Sequence, residues 1–164
     1  MTVLFEKKYL LLRSARRGDG YRLAPFLRQA DRAELAVSHQ GRDVAALLEA
    51  FIASSVQSVF MTVRGEPAVL AGVCPQIHLG VSGCVWMLTG RAVERVPLSF
   101  TRLARRQLEE WLQYYPFLYN YIDGRYLQAL SFAQRAGGKT GKEIYIHGVK
   151  FVEVIFRRNS WEEP

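Results

Sequence analysis

Cys74, His78 and Cys84 lie close together in the sequence, and such residues make zinc sites or thiol–imidazole nucleophilic pairs. Their spacing matches no paired-ligand motif and brings no fourth ligand, so no metal is expected. Cys74 reads as the end of a buried strand, and His78 falls in the loop from Pro75 to Gly83. A Cys–His dyad would also need an oxyanion donor and an orienting group, which the sequence does not name. His39 and His147 stand alone and read as surface or capping residues. Arg102, Arg105 and Arg106 share one helical neighbourhood and could track phosphates. Glu109 and Glu110 follow one turn later, so an ion-paired solvent face accounts for the same pattern. In Phe117–Ile122, alternation puts Phe117, Tyr119 and Tyr121 on one sheet face and Leu118, Asn120 and Ile122 on the other. With Trp111, Tyr114 and Tyr115 nearby, these aromatics serve the core or line a pocket or interface with phenol groups.

The elements that must position these groups follow from periodicity. Lys8 to Ala15 reads as a strand, ended by the turn cluster Arg16-Arg17-Gly18-Asp19-Gly20. Tyr21 to Val37 has helical spacing in one or two short helices, interrupted near Gln29 to Asp31. Asp43 to Ser54 is a clearer helix, with Val44, Leu47, Leu48, Phe51 and Ile52 on one face. Val56–Val63 and Ala68–Val73 are strands joined by Arg64-Gly65-Glu66-Pro67, which predicts a hairpin. A third strand, Cys84–Leu88, ends at Thr89-Gly90, and consecutive antiparallel strands are the simplest outcome. Pro97 then opens a helix whose stripe is Phe100, Leu103, Ala104, Leu108, Trp111 and Leu112, and Pro116 ends it. Phe117–Ile122 is a strand and Tyr126–Ala136 a helix closed by Gly137-Gly138. Glu143–His147 and Phe151–Arg157 are strands around Gly148.

Composition bounds the function. The chain has 164 residues, 22 Lys plus Arg against 15 Asp plus Glu, a net charge of +7 and 49% hydrophobic residues. That length and apolar content suit one α/β domain with its own core. Runs such as Tyr9–Leu12 and Ala68–Val73 fall far short of the roughly 20 residues that span a bilayer. Glu6, Lys7 and Lys8 near the start, with no apolar export segment, lead to a cytoplasmic expectation. Cys74 and Cys84 are expected to be free thiols. The basic residues are scattered and form no arm, and no helix-turn-helix, zinc-finger or aromatic-basic signature supports nucleic acid as a partner. A polyanionic cofactor, an acidic protein partner or solubility alone would each use the charge. Trp161, beyond the last strand, suits an exposed tail or a contact with a second copy in a homo-oligomer.

The element order, with Trp86-Met87-Leu88-Thr89-Gly90, a long helix, a strand ending Tyr121-Ile122-Asp123 and a helix closing on Gly137, resembles the GCN5-related N-acetyltransferase (GNAT) fold. Further residues carry a narrower resemblance: Arg28-x-x-Asp31-x-x-Glu34-Leu35, Gly72-Val73 and Tyr115-Pro116-x-Leu118-x-Asn120-Tyr121-Ile122-Asp123. This combination is similar to a phage or prophage subgroup of GNAT-like acetyltransferases and internal virion proteins of short-tailed phages.

The resemblance implies a mixed, mainly antiparallel sheet flanked by helices. It further implies acetyl-CoA as cofactor, transfer of its acetyl group to an unidentified amine, and cofactor contacts at Leu88, Thr89, Gly90 and Arg91. Asp123 and Tyr126 would line the acceptor side. A general base for the attacking amine would be Asp123, Glu34 or an activated water, while Asp123 also reads as a loop ion pair or helix cap. Where the family places a Gln/Arg-x-x-Gly-x-Gly/Ala loop, this chain has Thr89-Gly90-Arg91-Ala92-Val93-Glu94-Arg95-Val96-Pro97, and the family's acid tyrosine aligns with Ala133. Those departures admit another outcome, a catalytically silent GNAT-like scaffold in the host cytoplasm or the virion, with phage structural proteins as partners.

Overall fold

The computed structural model describes residues 2–76 and 82–158. The strands are β1 (Val3–Lys7), β2 (Leu10–Ser14), β3 (Gln57–Val63), β4 (Glu66–Pro75), β5 (Ser82–Thr89), β6 (Phe117–Asp123), β7 (Lys139–Ile146) and β8 (Val149–Arg157). The helices are α1 (Asp19–Leu23), α2 (Gln29–Ser38), α3 (Val44–Ser54), α4 (Pro97–Trp111) and α5 (Leu127–Arg135). The strands form one eight-stranded sheet in the order β1-β2-β3-β4-β5-β6-β8-β7. The β5–β6 pair is parallel, whereas β1–β2, β2–β3, β3–β4, β6–β8 and β7–β8 are antiparallel.

The chain divides into two compact units, and β5 contributes residues to both. The first takes its described residues from Met1–Cys74 and Trp86–Pro97. Its core gathers Leu23, Leu27, Leu35, Leu47, Leu48, Phe60, Leu70, Trp86 and Leu88, drawn from the helices and the sheet. The periodic apolar positions of α3 are what it buries there, and Asp43 caps that helix by accepting the Ala46 N–H at 2.9 Å. The hairpin expected after Val63 is present. Arg64 (φ 51°) and Gly65 (φ 80°) form its two-residue turn with both φ values positive, as a primed turn requires. Pro67 stands opposite Thr62 beside a register shift, where its missing N–H is tolerated.

Two expectations change in this unit. The segment read as one strand from Lys8 is half of a hairpin, with β1 paired to β2 around Lys8 and Tyr9. Those turn residues carry neither glycine nor asparagine, so the usual signal of a hairpin is missing. The helical break falls at Leu27 and Arg28 rather than at Gln29 to Asp31. Leu27 is bridged to Gly90, and the Arg28 N–H donates to the Thr89 carbonyl at 3.0 Å. Pairing with a distant strand, not local propensity, sets the break.

The second unit takes its described residues from Pro75–Val85 and Leu98–Pro164. The α4 stripe buries Phe100, Leu103, Leu108 and Trp111, as its spacing requires. Helix α5 closes in a Schellman arrangement: Gly137 (φ 96°) donates to Gln134, and Gly138 donates to the Ala133 carbonyl at 2.9 Å. A Cβ on Gly138 would lie 2.5 Å from Val154 Cγ1, so glycine there lets the chain turn directly onto β8. His147 (φ 46°) and Gly148 (φ 78°) make a second primed turn between β7 and β8.

Candidate functional site

The cofactor-side residues belong to the first unit. Leu88 is part of its core. The buried Thr89 hydroxyl accepts from Arg28 Nε at 2.8 Å and donates to Asp31 Oδ2 at 2.9 Å. Its N–H donates to Asp31 Oδ1 at 3.4 Å. Arg28 and Asp31, one helical turn apart, thus clamp the end of β5 to the start of α2. Gly90 donates to the Ala68 carbonyl at 2.7 Å, and a Cβ there would meet the Pro67 carbonyl at 2.8 Å, so its close approach serves the chain's own packing.

Arg91 opens a short 3-10 turn, Arg91–Arg95, and is exposed without an ion pair among the described residues. The other charges of that turn are engaged. Glu94 lies 3.8 Å from Arg28, and Arg95 lies 3.3 Å from Glu66. Glu34, the other carboxylate considered as a base, sits half-buried on α2.

The acceptor-side residues belong to the second unit. Asp123 ends β6 and is buried, and its carboxylate is engaged by Arg125. The Arg125 N–H donates to Oδ1 at 2.9 Å, Nε to Oδ1 at 3.0 Å, and Nη2 to Oδ2 at 2.7 Å. Those hydrogen bonds hold Asp123 below the usual carboxylate range, although burial pulls the other way. The loop ion pair is therefore what forms. The cap is not Asp123 but Tyr126, whose N–H donates to the Asp123 carbonyl at 2.9 Å and whose side chain caps nothing. Ala133 is buried on α5.

The aromatic strand resolves in the same unit. The ladder Ser82↔Phe117, Gly83↔Leu118, Cys84↔Tyr119 joins β5 to β6, while Tyr119 faces Ile155 and Tyr121 faces Glu153 on β8. Leu118 is buried with Val154 and Phe156, whereas Phe117, Tyr119 and Tyr121 remain half-buried. So Leu118 turns to the core, and the opposite face carries a partly exposed row of rings. Burial, then the neighbouring Cys84, Tyr121 and Glu153, pushes the Tyr119 phenol up. Burial and the hydrogen bond to Glu153 do the same for Tyr121, and both phenols stay protonated at neutral pH.

Glu153 is the polar residue that sequence reading missed. Its signal was a carboxylate inside the apolar run Phe151-Val152-Glu153-Val154-Ile155-Phe156. Arg102, Arg105 and Arg106 are exposed on α4, as are Glu109 and Glu110, and no ion pair joins them among the described residues. Arginine placed N-terminal to glutamate is the weaker orientation on a helix.

Neither Cys74 nor Cys84 forms a disulfide. Cys74 sits near Ser54 and Ser55, whose hydroxyls lie 3.7 and 3.5 Å from its sulfur. His78 and Trp161 fall outside the described residues. Among the described residues there is no cluster of three or more metal-binding side chains, and no helix is long and apolar enough to cross a membrane.

No family model matches the sequence, and no curated protein matches it. Solved structures do match. Over 95% of this chain and 97% of the other, the fold superposes on AAC(6')-Ib in complex with ribostamycin and coenzyme A, with a TM-score of 0.71 and 16% identity. A GNAT family acetyltransferase from Streptococcus pneumoniae matches over 92% of this chain and 99% of its own, at 0.64 and 14%. The chain has the GNAT fold. A spermidine N-acetyltransferase chimera from Vibrio cholerae and hSSAT shares it over 96% of this chain and the whole of the other, with a TM-score of 0.68 and 11% identity. Within this GNAT fold the end of β5 is tied down by Arg28 and Asp31, and the end of β6 by Arg125. In the first unit Arg91 is exposed, and in the second Tyr121 donates to Glu153 Oε2 at 3.1 Å.

Proposed function

We propose that the chain is a single GNAT-like domain that transfers the acetyl group of acetyl-CoA to an amine. The observation that carries this reading is the near full-length likeness to AAC(6')-Ib bound to coenzyme A. The residues present fit the cofactor by charge. Arg91 is an exposed cation beside the end of β5, without an ion pair among the described residues, and suited to a pyrophosphate. The backbone offers less, because Gly90 is used internally and Pro97 brings no N–H.

When bound, acetyl-CoA would supply the activated acetyl thioester. In this reading Leu88, Thr89, Gly90 and Arg91 border the cofactor, and Asp123 and Tyr126 line the acceptor side. Asp123 acts there by charge and position. Its hydrogen bonds to Arg125 keep it deprotonated and lower its proton affinity, which makes it a poor base.

The test is to follow thermal unfolding while titrating acetyl-CoA and CoA. Binding raises the midpoint by mass action, and Arg91→Ala weakens it about tenfold, the scale of one charge-assisted contact. No shift at millimolar cofactor overturns the reading.

A second reading, a scaffold without catalysis, is favoured by the buried Ala133 where the resemblance places an acid tyrosine. Its partners would be phage structural proteins, as the narrower resemblance suggests. Cofactor binding without acetyl transfer to any primary amine would decide for it.

A further inference from the structure

Strand β8 inserts one carboxylate into an apolar sequence, and the second unit devotes several features to holding it. On one side Tyr121 stands directly opposite in the β6–β8 ladder and donates its hydroxyl proton to Glu153 Oε2 at 3.1 Å. On the other side β7 is bulged. Between the pairs Thr140↔Val154 and Glu143↔Val152, two residues, Gly141 and Lys142, face the single residue Glu153. The Lys142 N–H donates to Oε1 at 3.4 Å, and a Cβ on Gly141 would lie 2.6 Å from that oxygen. Bulges of this kind re-aim side chains, and glycine leaves room for the aim. A glutamate destined only for solvent needs neither.

The surroundings select the ligand. Tyr119 meets Tyr121 edge-on, with ring centroids 6.3 Å apart, and Cys84 pairs beside Tyr119. The hydroxyl of Tyr121 donates its hydrogen bond to Glu153 and keeps its proton, so its oxygen is left to accept. Carboxylate oxygens, a phenol oxygen and ring faces are all electron-rich, which suits a group that only donates. An ammonium has three donors and no acceptor, whereas an anion would meet Glu153. The same face already seats one organic cation: the Arg157 guanidinium carbon lies 5.5 Å from the Phe117 ring centroid. Arg157 and Lys139, opposite Ile155, bound the patch and disfavour a second positive charge close by.

We propose that this open face binds a primary alkylammonium, with Glu153 as its counter-ion, Tyr119 and Ile155 against its stem, and Tyr121 positioning the carboxylate. That this cation is the acetyl acceptor rests on the acetyltransferase reading; the binding site does not.

The experiment uses the full chain without acetyl-CoA, so a failed cofactor reading leaves its result intact. Butylammonium, 1-butanol and butyrate are each titrated while backbone amide resonances are followed by NMR. Butylammonium should shift Tyr119, Tyr121, Gly141 and Glu153 saturably, and the alcohol and the carboxylate should not. Glu153→Gln, nearly isosteric and still able to accept from Tyr121, should weaken butylammonium about tenfold or more, with the remaining spectrum unchanged. Tyr121→Phe should weaken it less, because the counter-ion stays but loses its orientation. Equal shifts from 1-butanol, stronger binding of butyrate, no saturable shift with butylammonium, or full affinity in Glu153→Gln would each overturn the proposal.

Discussion

Arg13 and Asp19 meet through two parallel hydrogen bonds of 2.7 Å in the interior of the first unit, where their side chains are 3% and 1% exposed. The fork-on-fork geometry suits a guanidinium and a carboxylate, and the Arg16 N–H adds a third bond to Asp19 at 2.9 Å. Arg13 also lies over the Phe60 ring, 4.6 Å from its centroid, so the pair is packed as well as paired.

Removing one partner strands the other charge. Asp19→Asn is expected to cost about 3–5 kcal/mol, and the double change Arg13→Met with Asp19→Leu markedly less. Burial alone would raise the Asp19 pKa, but Arg13, the Arg16 N–H and Arg22 together bring it below the ordinary carboxylate value. A depressed folded pKa gives stability that is present above the unfolded value, about pH 4, and lost as pH falls through the folded one. Urea unfolding from pH 7 to pH 2 should therefore show an acid slope that Asp19→Asn reduces. An unchanged slope in that variant would sink the assignment.

Trp86 donates its indole proton to Ser55 Oγ at 2.8 Å, and its ring lies over Gly72, where a Cβ would sit 2.7 Å from it. Ser55→Ala leaves a nearly buried donor unpaired and should cost about 1–3 kcal/mol. Gly72→Ala overpacks the same ring and should cost about 1–3 kcal/mol. Because both changes act through one side chain, the double variant should lose less than the sum, which denaturant midpoints would reveal.

Asp123→Ala should lower stability by about 1–3 kcal/mol, since it removes the carboxylate that organises the turn after β6. Asp123 too is held below the ordinary range, by Arg125, so its contribution is present above about pH 4 and lost in acid. Near neutrality it does not titrate. The pH dependence of any acetyl transfer between pH 6 and 9 should accordingly survive Asp123→Asn in shape, and a vanished limb in that variant would restore Asp123 as the base.

Local chemistry was legible wherever its cause is local. Arg64-Gly65 and His147-Gly148 turn the chain because glycine accepts positive φ, and Gly137-Gly138 closes α5 for the same reason. The stripes of α3 and α4 follow from a 3.6-residue period that any core would select. The β1–β2 hairpin escaped notice because Lys8 and Tyr9 carry no turn signature.

Residue types and spacing by themselves determined most of the succession of elements from β2 onward and the apolar stripes of α3 and α4, since torsional preference and periodicity act over a few residues. Tertiary structure decided what each polar side chain does. Thr89 is bound to Arg28 across 61 positions, and Glu153 to Tyr121 across 32. Such partners are chosen by strand order and register, which bring remote residues to hydrogen-bond distance. Asp123, read as a base, a cap or a loop ion pair, forms the ion pair, with a neighbour two residues away. Glu153 became a candidate ligand only once a bulge and a facing tyrosine were seen to aim it.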